Sequence, residues 1–119
     1  MRFNAAEQSN DLLPGGVYEF EVVGASESIS TNGNDMLVLK IKIEAKGLVI
    51  TITDWIIAKQ LKKLRKAAQS CGLGELFDSG EIPAESFMGR RGKAKIVVDR
   101  AANQNYRDRN IVEAYLGRR

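Results

Sequence analysis

The chain contains no histidine, a single cysteine and no apolar run of membrane length. Zero histidine removes the commonest metal ligand and the commonest general base together. Cys71 is alone, which excludes an internal disulfide and suits a reducing interior. No stretch of about 18 apolar residues occurs, so a membrane span is not expected. The N-terminus also lacks the basic start and apolar stretch of a secretory signal. Carboxylates are present but scattered: Asp54, Asp78 and Asp99 show no paired spacing. Neither a glycine-rich phosphate loop nor a nucleophile–base arrangement accompanies them. An enzyme, and with it a metal or organic cofactor, is therefore the least expected class.

What is present is 119 residues, 44% hydrophobic and 28% charged, the size and composition of one soluble domain with a single core. The net charge of +3 conceals an asymmetry. From Met88 onward nine Lys/Arg face three acids, a balance of +6, whereas the first 35 residues hold one base and six acids, a balance of −5. The basic third contains the polar stretch Arg100-Ala-Ala-Asn-Gln-Asn-Tyr106-Arg107-Asp-Arg109 between two strand-like segments, Lys93–Asp99 and Ile111–Leu116. One aromatic among arginines and amides on a hairpin suits nucleic acid: the ring stacks, the guanidinium groups take phosphates and the amides read edges.

Residues 1–12 are polar and read as a flexible arm; 13–119 read as a single domain. Leu13-Pro14-Gly15-Gly16 punctuates the chain. Val17–Val23 then alternates, with Tyr18, Phe20 and Val22 on one side and Glu19 and Glu21 on the other, until Gly24 allows a bend. Ser30–Asp35 contains the turn pair Asn32-Gly33. Leu37/Leu39/Ile41/Ile43 and Leu48/Ile50/Ile52 alternate on either side of a Lys46-Gly47 turn, giving a three-stranded meander. The period then changes: Ile57, Leu61, Leu64, Ala68 and Cys71 lie on one helical face, lysines and Arg65 occupy the rest, and Gly72 supplies the stop. Asp54 is a candidate cap. Residues 73–89 show no period, and two further strands complete the chain.

Five short strands with one helix between the third and fourth is the element order of the OB-fold, an all-β Greek-key barrel with one helix. Ala94/Ile96/Val98 and Val112/Ala114/Leu116 would join the earlier inward rows to fill it, with the helix plugging one end. An open sheet with the helix lying across one face fits the same periodicities.

The chain resembles the phage-encoded single-stranded DNA-binding proteins with an OB-fold. The likeness rests on Leu13-Pro14-x-Gly16-x-Tyr18-Glu19, on Ser30-x-x-Gly33-Asn34-x-Met36-Leu37-x-Leu39, and on Trp55 after the third strand. Gly89 and Lys93 entering the fourth strand and Arg109-Asn110-x-Val112 at the fifth complete it. It covers roughly Leu13 to Leu116, in short pieces whose shared order carries the argument. The resemblance implies a non-catalytic protein that protects single strands during phage replication or recombination, in the cytoplasm of an infected bacterium, alongside replication or recombination proteins. It also implies contact through the barrel groove and the loops between strands one and two and between four and five. The chain departs from many such proteins in finishing Leu116-Gly-Arg-Arg rather than with an acidic tail that recruits partners.

The candidate contacts form three groups. Trp55 continues the outward parity of Val49, Thr51 and Thr53 beside Lys40 and Lys42, a stacking platform flanked by ammonium groups; the competing role is sealing the barrel against the helix. Tyr106 with Arg107 and Arg109 forms the hairpin group, and folding back as a lid is the competing role for the ring. Arg90, Arg91, Lys93 and Lys95 form either a backbone track or a solvated edge. The helix lysines read as a solvated face and Cys71 as core. An RNA-binding OB domain and a replisome interaction module are the alternative functions. Duplex binding and oligomeric state are left open by the residues.

Overall fold

The alternating segments fold as strands and the one period-3.6 segment folds as the main helix. The computed structural model of the protein describes residues 12–99 and 108–117. Strands β1 (Gly16–Ile29), β2 (Asp35–Ala45) and β3 (Leu48–Ile57) precede helix α1 (Leu61–Ser70), and β4 (Arg91–Asp99) and β5 (Arg109–Leu116) follow it. Between α1 and β4 lie a short helix, α2 (Gly74–Asp78), and a 3-10 turn at Ala84–Phe87. The expected N-terminal arm falls outside the described residues except for Leu12.

The strands form one antiparallel sheet in the order β3-β2-β1-β4-β5. β1 is long enough to serve two neighbours: its first half pairs with β4 and its second half with β2. The change of partner comes at a bulge between Val22 and Gly24, where one extra residue, Val23, bends and twists the strand. Lys46 (φ 58°) and Gly47 (φ 76°) make the β2–β3 turn; positive φ at both central residues matches the right-handed twist of a tight hairpin. In the β1–β2 turn, the Ser30 hydroxyl oxygen accepts the Asn34 N–H at 3.1 Å.

One face of the sheet carries the core. Phe20, Val22, Leu39, Ile41, Ile43, Ile56, Ala94 and Ile96 are buried there, with Leu13 and Phe87. Each fully buried aliphatic side chain contributes about 1.5–3 kcal/mol relative to exposure. Helix α1 presents Ala67, Ala68 and then Cys71 to this face, and small residues let it approach β4 closely. At Gly92 a Cβ would lie 2.7 Å from the Ser70 carbonyl oxygen and 2.9 Å from Phe20 Cζ. The buried Ser70 hydroxyl accepts the Lys93 N–H at 3.1 Å and donates to the Lys93 carbonyl at 3.0 Å, so a side chain takes the part of a neighbouring strand. Gly72 (φ 77°) ends the helix as the sequence predicts, and the Leu73 N–H returns to the Ala68 carbonyl at 2.7 Å.

Side chains join the two edges of the sheet. The Tyr115 hydroxyl on β5 donates to Asp54 Oδ2 on β3 at 2.6 Å, and Lys63 of α1 pairs with Asp54 Oδ1 at 3.0 Å. No backbone ladder links β3 to β5 among the described residues, so by hydrogen bonding the sheet is open. At the chain entry, Asn110 Oδ1 accepts the Leu13 N–H and Asn110 Nδ2 donates to the Leu13 carbonyl, both at 2.9 Å.

Four sequence expectations change. Ile57 lies in β3 rather than on the helix, because its segment continues pairing with β2 at Met36. Leu61, expected to pack inward, is 61% exposed, and the inward face rests on the last turns of α1. Asp54 is a strand residue that ties β3 to α1 and β5, not a helix cap; Gln60 precedes the helix and makes no side-chain cap. In β5, Glu113 is the extra residue of a bulge opposite Lys95 and Ile96. The parity beyond it reverses, so Tyr115 is buried while Ala114 and Leu116 are exposed, the opposite of the expected row.

Candidate nucleic-acid interface

The outer face of the sheet is built from the residues that alternate away from the core. Antiparallel register sets directly opposed residues on the same face. Trp55 on β3 therefore stands beside Val38 on β2 and Ser26 on β1, and the next row is Thr53, Lys40 and Gly24. Trp55 is 52% exposed, so the outward parity read from the sequence holds and the indole does not seal the core. Lys40 is one diagonal step from Trp55, a separation of about 7–8 Å that a long side chain spans.

Gly24 determines how Lys40 lies. A Cβ at Gly24 would sit 3.2 Å from Lys40 Cβ and Cδ. The aliphatic stem of the lysine thus crosses β1 where a side chain is missing. Lys40 forms no ion pair among the described residues. The patch combines a half-exposed ring, an uncommitted ammonium group and small polar neighbours, with no acid in its two rows.

The remaining basic candidates are placed differently. Lys42 lies between Glu21 at 3.9 Å and Glu44 at 3.4 Å. Arg91 and Lys93 on β4 stand directly opposite Glu21 and Glu19 on β1. Lys95 pairs with Glu113 at 2.8 Å, and that hydrogen bond, with the charge behind it, holds the Lys95 ammonium above its ordinary pKa. Arg90 is exposed at the turn into β4, where its carbonyl accepts the Val22 N–H at 2.8 Å. Arg109 Nε lies 3.4 Å from Asp99 Oδ2 at the base of the β4–β5 loop. Tyr106 and Arg107 lie outside the described residues. An open groove of about 670 Å³ crosses β2, β1 and β4, and its charged lining is Glu19, Glu21 and Glu44 against Lys42, Arg91 and Lys93. Three acids against three bases leave it without a net attraction for phosphate.

The structure thus brings Lys40 and Trp55 together and separates them from the Lys93–Lys95 group by acids. Sequence reasoning missed those acids as partners, and it missed Val38, Ser26 and Gly24 as neighbours. Alternation identified the outward residues, but only register reveals who stands opposite whom. Among the described residues no cluster of three or more acidic, Cys or His side chains could hold a metal ion. Among the described residues no helix is long and apolar enough to cross a membrane. No protein-family model matches the chain, and no curated protein matches it.

Proposed function

We propose that the protein binds single-stranded DNA with little regard for sequence, using the outer face of β1–β3 in an OB-type Greek-key barrel. The barrel reading draws support from a β1 that pairs with both β2 and β4, and from the contact between the β3 and β5 edges. The observation that carries the functional reading is Trp55, half exposed beside Lys40, which forms no ion pair among the described residues. A ring held in this way offers a stacking surface to any base, and the ammonium group meets the adjoining phosphate. In this reading the chain is a non-catalytic partner of phage replication or recombination, and the β4–β5 loop with Tyr106, Arg107 and Arg109 adds a second contact.

Trp55 is the only tryptophan, so its emission reports one place. Titration with oligo(dT) of graded length should quench it. Trp55→Ala should cost about 1–3 kcal/mol of binding while changing stability by less than ~0.5 kcal/mol. RNA and duplex competitors identify the preferred strand. Constant emission, together with a Trp55→Ala variant that binds like the parent, would falsify this reading.

A further inference from the structure

A second groove, of about 450 Å³, opens between the far end of the β1–β2 hairpin, the start of α1 and the segment before β4. Its floor is apolar, formed by Leu37, Ile56 and Phe87. Leu61, the residue that fails to pack inward, forms part of its wall with the half-buried Phe77. The charged groups of the lining are Glu27, Asp35 and Glu81; all three are exposed, and among the described residues no Lys or Arg lines the groove. In a chain of net charge +3, a wholly acidic rim around an apolar floor is a local reversal of sign.

We propose that this groove is a protein-docking site for a basic, apolar segment of a partner protein. Leucine-like anchors would enter between Leu61 and Phe77, and lysine or arginine side chains would meet Glu27, Asp35 and Glu81. The charge complementarity selects this occupant: a polyanion is repelled by the rim, and an acidic peptide meets like charge. The anchors of an amphipathic helix, spaced at i, i+3/i+4 and i+7, suit an apolar groove of this kind. The docking site is independent of the proposed single-strand binding, since none of its lining belongs to the Trp55 and Lys40 rows.

The test uses the full chain and a fluorescein-labelled peptide of about 14 residues, with leucine on one helical face and lysine on the other. A matched peptide carries glutamate in place of lysine. Fluorescence anisotropy should show saturable binding of the lysine peptide and none of the glutamate peptide. Leu61→Gln should weaken binding at least tenfold, as should the pair Glu27→Lys and Glu81→Lys. Glu113→Lys, a charge reversal elsewhere, should leave it unchanged. Because Leu61 is 61% exposed, loss of folding does not confound its variant. Equal binding of both peptides, indifference to the groove variants, or displacement of the peptide by oligo(dT) overturns the proposal. So does self-association of the chain that Leu61→Gln abolishes, since the groove would then serve a second copy.

Discussion

Replacing Tyr115 by phenylalanine removes one oxygen and keeps almost everything else. The ring stays buried edge-on to Phe20, with centroids 5.8 Å apart and planes at 76°. Lys63 stays on Asp54 Oδ1. What disappears is a 2.6 Å hydrogen bond to a carboxylate that has little other access to solvent. Hydrogen bonds to charged groups are worth about 1.5–3 kcal/mol, so that is the expected loss near neutral pH. With a urea slope of about 1–3 kcal/mol per molar, the midpoint should fall by roughly 1 M. The pH dependence gives a sharper check. Burial, reinforced by the negative charge of Asp54 and the bond to it, holds the Tyr115 phenol well above its ordinary value of 10.0. The folded state therefore keeps its proton above pH 10 where the unfolded chain releases it. Stability from this group is complete below the unfolded value and declines as pH rises beyond it. At about pH 11 the unfolded chain gains about 1.4 kcal/mol by ionising, which the phenylalanine variant cannot do. Urea midpoints at about pH 8 and about pH 11 should therefore show the gap between parent and variant narrowing by ~1.4 kcal/mol. A gap of constant size means that the phenol ionises as readily folded as unfolded, and the edge-joining contact is refuted.

Lys40→Ala should flatten the log–log salt dependence of oligo(dT) binding by about 0.7, one phosphate's worth, whereas Lys95→Ala, whose ammonium is already paired with Glu113, should leave the slope within error. Equal effects from both would show that ion pairing does not decide which cations engage. Gly92→Ala forces a methyl against a backbone carbonyl and should lower stability by about 1–3 kcal/mol in thermal or urea unfolding; a neutral outcome would mean that α1 can lift off β4 without loss. Asn110→Ala leaves both backbone groups of the buried Leu13 without their side-chain partners and should cost about 1–3 kcal/mol. Amide exchange at Leu13 should accelerate in that variant beyond what global destabilisation explains.

Strand identity was legible because the alternation is strong. Leu39, Ile41 and Ile43 are all fully buried and the residues between them face out. The Lys46-Gly47 turn and the Gly72 stop could also be read from residue type alone. Two features could not. The bulge at Glu113 carries no compositional mark, since glutamate is an ordinary outward strand residue, and so alternation alone does not mark Tyr115 as core. Spacing alone starts the helix too early, because Ile57 fits both a helix row and a strand end; its pairing partner on β2 decides the matter, and partners are tertiary information. For the candidate site, parity placed Trp55 correctly. The run from Arg90 to Lys95 reads as a basic track only while β1 is out of sight, and its opposition to Glu19 and Glu21 follows from a register between residues 70 and 74 positions apart.

That register has an electrical consequence. With −5 in its first 35 residues and +6 from Met88 onward, the chain would carry a large dipole if those parts lay at opposite ends of the molecule. Instead Glu19 and Glu21 lie across one ladder from Lys93 and Arg91, at the Cα spacing of about 4.5–5.5 Å of antiparallel pairs. This is inside the Debye length of about 8 Å at physiological ionic strength, so from further away each pair is close to neutral. Among the described residues the far field is left to charges without an opposite charge across a ladder, among them the exposed Lys59, Lys62, Arg65 and Lys66 around α1. Long-range attraction for a polyanion therefore comes from these cations, the acidic rim of Glu27, Asp35 and Glu81 at the start of α1 opposes it, and short-range contacts decide where the strand comes to rest.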